Sequence, residues 1–159
     1  MTDAFRHLHM PPELACEFLA AFSRMEYALK AGGFAFGGEN GIEPAWDRFA
    51  NEIDDAFGKI DDPAFKEAVD FLLSMPPRRQ IKKNGAIDFD DRTIDKSQTR
   101  AQQTLLMVRA VRNNLFHGAK HLPSGEREAG RNEALVAHSL AVLKACVPLH
   151  EAVRRHFEQ

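Results

Sequence analysis

Cysteine is scarce in this chain of 159 residues. Its two thiols, Cys16 and Cys146, stand singly in apolar helical contexts, without the spacing of a metal site or redox pair, which excludes a disulfide framework. Both read as reduced core residues. Long hydrophobic runs are missing as well: none approaches the ~20 apolar residues needed to span a bilayer. The opening "MTDAFRHLHM" lacks the charged and apolar regions of an export signal, so the expected location is the cytoplasm, without membrane contact. A large net charge is also absent, the formal value being −2. What is present is the composition of a globular protein, 44% hydrophobic and 28% charged. Such a length suits a single domain over residues 1–159, with a core from about 11 to 157, that needs neither metal nor disulfide to fold.

The small net charge conceals an uneven distribution. Residues 39–70 hold ten Asp or Glu against Arg48, Lys59 and Lys66. From Lys96 to Gly125 there is no acid, while Lys96, Arg100, Arg109, Arg112 and Lys120 are basic, and "PPRRQIKKN" upstream adds Arg78, Arg79, Lys82 and Lys83. A phosphate-bearing partner would favour this second half and be repelled by residues 39–70. A solvated basic face without a partner is the alternative.

Hydrophobic periodicity predicts helices throughout. Leu14, Phe18, Phe22, Met25 and Leu29 recur at helical spacing from about Pro11 to Ala31, where Gly32 and Gly33 stop the pattern. The following "GGFAFGGENG" has neither the phosphate-loop lysine nor a dinucleotide pattern and reads as a flexible connection. A second helix, about Pro44 to Phe57, would bury Phe49, Ile53 and Phe57 with Trp46 beside them, and a short third would run from Pro63 to Leu73. Residues 78–94 read either as a small hairpin turning at Asn84–Gly85 or as an ordered loop. A fourth helix would start near Asp95 to Ser97 and reach His117 or Gly118, and a fifth, about Asn132 to Phe157, would bend at Pro148. The expected fold is all-α, an antiparallel bundle of four to five helices.

The fourth helix concentrates chemistry. At ~100° per residue, Ala101, Leu105, Val108, Val111 and Leu115 form one inward stripe, and Arg112 falls inside it. A guanidinium there needs a partner, either a buried acid such as Glu26 or a phosphate in a cleft or subunit interface. Arg109, Asn113 and His117, each four residues apart, form a second line beside it. Gly118 follows His117, placing the imidazole at the helix C-terminus, where the dipole favours a positive charge. An imidazole that exchanges protons and a guanidinium that grips phosphate oxygens provide general acid–base and anion-stabilising groups without a metal. His117 capping the last carbonyls is the simpler structural role. A metal site finds little support, because His117 and His121 straddle Gly118 and no carboxylate completes a set. Neither metal nor other cofactor is expected.

"RNNLFH", residues 112–117, resembles the motif of the HEPN superfamily, small helical domains named from higher eukaryotic and prokaryotic nucleotide-binding proteins. The family pattern is an arginine, four to six variable residues and a histidine, with a polar residue favoured after the arginine; Arg112, Asn113 and His117 match. The position of the motif, ending the penultimate long helix, and the "LLMVRAV" before it are similar to bacterial members. "FSRMEYALK", 22–30, resembles the first long helix of one bacterial subgroup, in which a charged residue faces the motif; Glu26 would fill that place. The resemblance implies a metal-independent endoribonuclease acting as a homodimer, in a toxin–antitoxin or phage-defence setting, with a cognate antitoxin or defence-system protein as a possible further partner. His117 would exchange protons at the RNA 2′-hydroxyl or leaving oxygen, Arg112 would neutralise the phosphoryl oxygens and Asn113 would orient them. Glu26 and Arg109 would support the site, and Lys120, Arg109 and Arg100 would contact RNA phosphates. The products would be a 2′,3′-cyclic phosphate and a 5′-hydroxyl. A noncatalytic nucleotide- or RNA-binding domain, or a helical interaction protein whose motif only staples the fold, are the alternatives.

Overall fold

The computed structural model describes residues 3–118 and 125–159, apart from the side chains at 7 and 125–129. Helix α1 (Pro12–Ala31) opens with a proline in its first turn and closes where the Gly32 amide donates to the Ala28 carbonyl at 2.8 Å. It buries Phe18, Phe22, Met25 and Leu29, the face expected from the periodicity. Helix α2 (Trp46–Gly58) buries Trp46, Phe49, Ile53 and Phe57. Asp62, whose carboxylate accepts the Ala64 amide at 3.2 Å, and Pro63 together start α3 (Pro63–Ser74).

The fold is mostly helical, and two antiparallel hairpins correct the all-α expectation. One joins β1 (Ala35–Gly38) to β2 (Gly41–Pro44) across Glu39–Asn40, where a connection without strands was expected. Two residues suffice to reverse a hairpin, and the neighbouring glycines supply the positive φ angles of the turn region. The other joins β3 (Arg79–Lys83) to β4 (Ala86–Asp90) and realises the hairpin alternative for 78–94. Its corner residues have φ of 50° at Asn84 and 78° at Gly85, the left-handed pair that a two-residue type I′ turn requires.

Helix α4 (Arg100–Phe116) begins later than the pattern suggested. The Asp95 carboxylate already accepts the Ser97 amide at 2.9 Å and its hydroxyl at 2.6 Å, holding a local turn, so capping passes to Thr99, which accepts the Gln102 amide at 3.2 Å. The chain then forms α5 (Gly125–Cys146), a short 3-10 turn over Val147–Leu149 and α6 (Glu151–Glu158). The expected bend at Pro148 is a break of 115°. No single described helix is long and apolar enough to cross a membrane.

Helices α1, α3 and α4 pack against α5, α2 covers another side of α4, and α6 lies on α1. Arg24 fixes that last contact by donating to the carbonyls of Phe157 at 2.9 Å and His156 at 3.0 Å. α4 is therefore enclosed along most of its length: Ala101, Thr104, Leu105, Met107, Val108, Ala110 and Val111 are all buried. Its final turn emerges from the core, with Asn113 and Phe116 exposed.

Candidate functional site

The charge asymmetry of the sequence does not survive folding as two separate faces. Arg100 reaches Asp70 at 2.7 Å and Arg109 reaches Asp47 at 3.3 Å, so acids from the 39–70 segment lie directly on the basic helix. In the second hairpin, Arg79 meets Asp90 at 2.8 Å and Arg78 meets Asp91 at 3.2 Å. Exposed pairs of this kind contribute little stability, about 0–1 kcal/mol each, but they leave fewer cations open to a polyanion.

The last turn of α4 differs. Arg112 is half-buried, with its guanidinium 5.6 Å from the ring centre of Phe22 and 5.0 Å from that of Phe116. Nη1 donates to the Asn113 Oδ1 at 3.1 Å. Among the described residues Arg112 has no ion pair, so the acid partner expected in Glu26 is not bonded to it, although Glu26 lies in the same cleft. Cation–π packing explains how the guanidinium is accommodated: two rings lie against it, and only Nη1 is engaged in a hydrogen bond among the described residues.

Asn113 links both motif residues. Its side chain accepts from Arg112, and its backbone carbonyl accepts the His117 amide at 2.9 Å. His117 is the C-terminal cap, followed by Gly118 at a φ of 71°, the left-handed turn that ends helices. The imidazole is exposed and meets the Phe116 ring edge-to-face, 5.3 Å between centres. Five positions separate Arg112 from His117, about 7.5 Å along the axis. The pair thus presents a proton-transfer group and an anion-stabilising group at one end of the helix.

Not every candidate reaches this end. Arg109 turns towards α2 through Asp47, away from the line it was expected to form with Asn113 and His117. Arg100 opens α4, about 18 Å along the axis from Arg112, and is joined to Asp70. Lys120 and His121 lie outside the described residues. Asn114, which carried no expectation, donates from Nδ2 to the Arg78 carbonyl at 2.7 Å and so ties the second hairpin to the motif turn.

Between α1 and the end of α4 runs a cleft of about 420 Å³, bounded by Phe22, Glu26, Tyr27, Lys30, Arg112 and Phe116. Tyr27 and Phe116 are 47% and 64% exposed, large apolar surfaces left in water on either helix. Neither ring, nor Lys30, stands out as a site residue in the sequence. Their signal was present: Ser23, Glu26, Tyr27 and Lys30 share one outer edge of α1 at spacings of three and four, and Phe116 is an aromatic outside the apolar stripe of α4.

The two thiols part company. Cys146 is buried, and burial pushes its thiol up to about 12. Cys16 is exposed on α1, contrary to the core assignment, because it lies off the stripe of Ala15, Phe18 and Phe22. Among the described residues, no three His, Cys, Asp or Glu side chains converge as a metal site would require. No protein-family model, curated protein or solved structure matches the chain.

Proposed function

We propose that this chain is a HEPN-like endoribonuclease whose chemistry is carried by Arg112, Asn113 and His117. The observation that supports this most is the last turn of α4: a guanidinium held against two aromatic rings, hydrogen-bonded to Asn113 and with no ion pair among the described residues, and an exposed histidine capping the same turn. Neither group uses a metal in the reaction proposed. The RNA 2′-oxygen attacks the adjacent phosphorus while its proton passes to an imidazole, the bond to the 5′-oxygen breaks, and that oxygen receives a proton from an imidazolium. Arg112 neutralises the charge that grows on the non-bridging oxygens, and Asn113 holds the guanidinium in register.

Two imidazoles serve the two proton transfers if two copies of the chain bring their α4 ends together, and a symmetric homodimer is accordingly part of the proposal. One copy's His117 takes the 2′ proton and that of the second copy protonates the leaving oxygen. A toxin–antitoxin or phage-defence role, with a protein that restrains the enzyme, belongs to the same reading.

Incubation of mixed-sequence RNA with the native protein in excess chelator tests it. The expected result is cleavage to fragments with 2′,3′-cyclic phosphate ends, lost in His117→Ala and in Arg112→Ala. Activity surviving both substitutions would remove the proposed site. A noncatalytic RNA-binding domain is the second reading, favoured by one feature: Arg112, Phe116 and Tyr27 are groups that hold a ligand, and His117 is not among the residues that line their cleft. Salt-dependent RNA binding without any product would support it.

A further inference from the structure

We propose that the cleft between α1 and α4 is a nucleobase pocket selective for guanine, with Glu26 and Lys30 reading the base edge. The proposal rests on the RNA reading above and names the nucleotide the site accepts. At about 420 Å³, the cleft falls within the range of about 300–1,000 Å³ typical of small-molecule sites. Its walls suit a flat ring: Phe116 and Tyr27 are aromatic, 64% and 47% exposed, and the Arg112 guanidinium that also lines the cleft lies 5.0 Å from the Phe116 centre. Bases in single-stranded RNA are held by such aromatic and guanidinium planes.

Glu26 decides which base. A carboxylate beside a polyanion is unfavourable unless its oxygens receive hydrogen bonds from the ligand. Glu26 is half-buried, lines the cleft and has no ion pair among the described residues, even though Lys30 stands one helical turn away and Arg112 bounds the same space. Its two oxygens are acceptors only, whereas the Lys30 ammonium is a donor only. Guanine presents two adjacent donors, N1–H and the N2 amino group, followed by the O6 acceptor, and this order matches a carboxylate followed by an ammonium. Adenine and cytosine each set a ring-nitrogen acceptor beside their single amino donor, and uracil flanks its one N–H with two carbonyls. Those acceptors would face the carboxylate and be repelled. Arg112 lines the same cleft, so the phosphate of the bound nucleotide would sit beside the motif.

Titration of the native protein with 3′-GMP, 3′-AMP, 3′-CMP and 3′-UMP reads this directly. Affinity for 3′-GMP should exceed the others by about tenfold or more, the discrimination expected of a two-bond base contact. Glu26→Gln should reduce that margin to about threefold or less, while Tyr27→Ala should weaken all four nucleotides together and Tyr27→Phe should restore them. If Glu26→Gln fails to fold, Glu26→Asp provides the same comparison with the charge kept and the reach shortened, and should give a reduced margin. Guanine preference without cleavage of any RNA would uphold the pocket and remove the nuclease reading. RNA cleavage accompanied by equal affinities for the four nucleotides would overturn the pocket and leave the nuclease reading standing. Absence of binding by all four would overturn it as well.

Discussion

At the N-terminal end of α4, Arg100 reaches Asp70 at 2.7 Å, the Asp54 carboxylate accepts the Ala101 amide at 3.0 Å, and Thr99 caps the helix while donating to Asn51. Twelve residues after Arg100, at the C-terminal end, Arg112 lies against two aromatic rings, Asn113 is its hydrogen-bond partner and His117 faces water. The residue types at the two ends are similar in charge but not in surroundings. Acids from α2 and α3 complete the first end, so its polar groups are occupied in holding helices together. At the second end Glu26 lines the same cleft as Arg112 without an ion pair among the described residues, and the polar groups remain open to a ligand. A basic helix is therefore poor evidence of nucleic-acid binding until it is known which of its cations already have partners.

The largest expected effect lies at the open end. His117→Ala and Arg112→Ala should each lower RNA cleavage by about 10²–10⁴-fold, as for loss of an acid–base group or an anion-stabilising donor. His117→Ala should leave the melting temperature within about 2 °C of native, because the side chain is exposed. Its loss of stability without loss of an RNA function would erase the distinction between the two ends and favour a purely structural motif. The closed end should respond in the opposite sense. Thr99→Ala removes the cap and should cost about 1 kcal/mol, read as a fall of about 2–4 °C in Tm, with cleavage per folded molecule unchanged.

Smaller effects sharpen the contrast. Arg100→Ala should cost less than about 1 kcal/mol, because its ion pair with Asp70 is exposed, and should leave the salt dependence of RNA binding as it was. Arg112→Ala should reduce the slope of log affinity against log salt by about one phosphate contact. Equal losses from the two arginines would show that both ends meet RNA. The smallest effect concerns the thiols: a disulfide reagent at neutral pH should modify Cys16 in the native protein and reach Cys146 only after unfolding, since burial holds that thiol protonated far above neutral pH.

Much of this comparison was legible in the sequence, and the remainder was not for identifiable reasons. Phe49, Ile53 and Phe57 at a period near four announced α2, and Asn84–Gly85 offered one hairpin, beside an ordered loop, because few residue pairs accept two left-handed conformations in succession. The hairpin at 35–44 escaped because four-residue strands rich in glycine have almost no propensity signal of their own. The start of α4 was misplaced when Asp95, a good capping residue, was engaged by Ser97 instead. Arg112, Asn113 and His117 could be recognised as a local pattern. That Asp47, sixty-two residues away, occupies Arg109 is a tertiary fact that no local spacing encodes. The same holds for Tyr27 and Phe116, whose exposure makes them notable and which, on sequence alone, read as ordinary aromatics.

The central claim is that the open end of α4 promotes attack by the RNA's own 2′-hydroxyl, and a single atom tests it. After the cleavage position in a defined RNA is mapped with the native protein in chelator, the 2′-hydroxyl at that position is replaced by hydrogen and the rate is measured again. Cleavage there should vanish while unmodified positions are still cut. Continued cleavage at the deoxy position would contradict the claim.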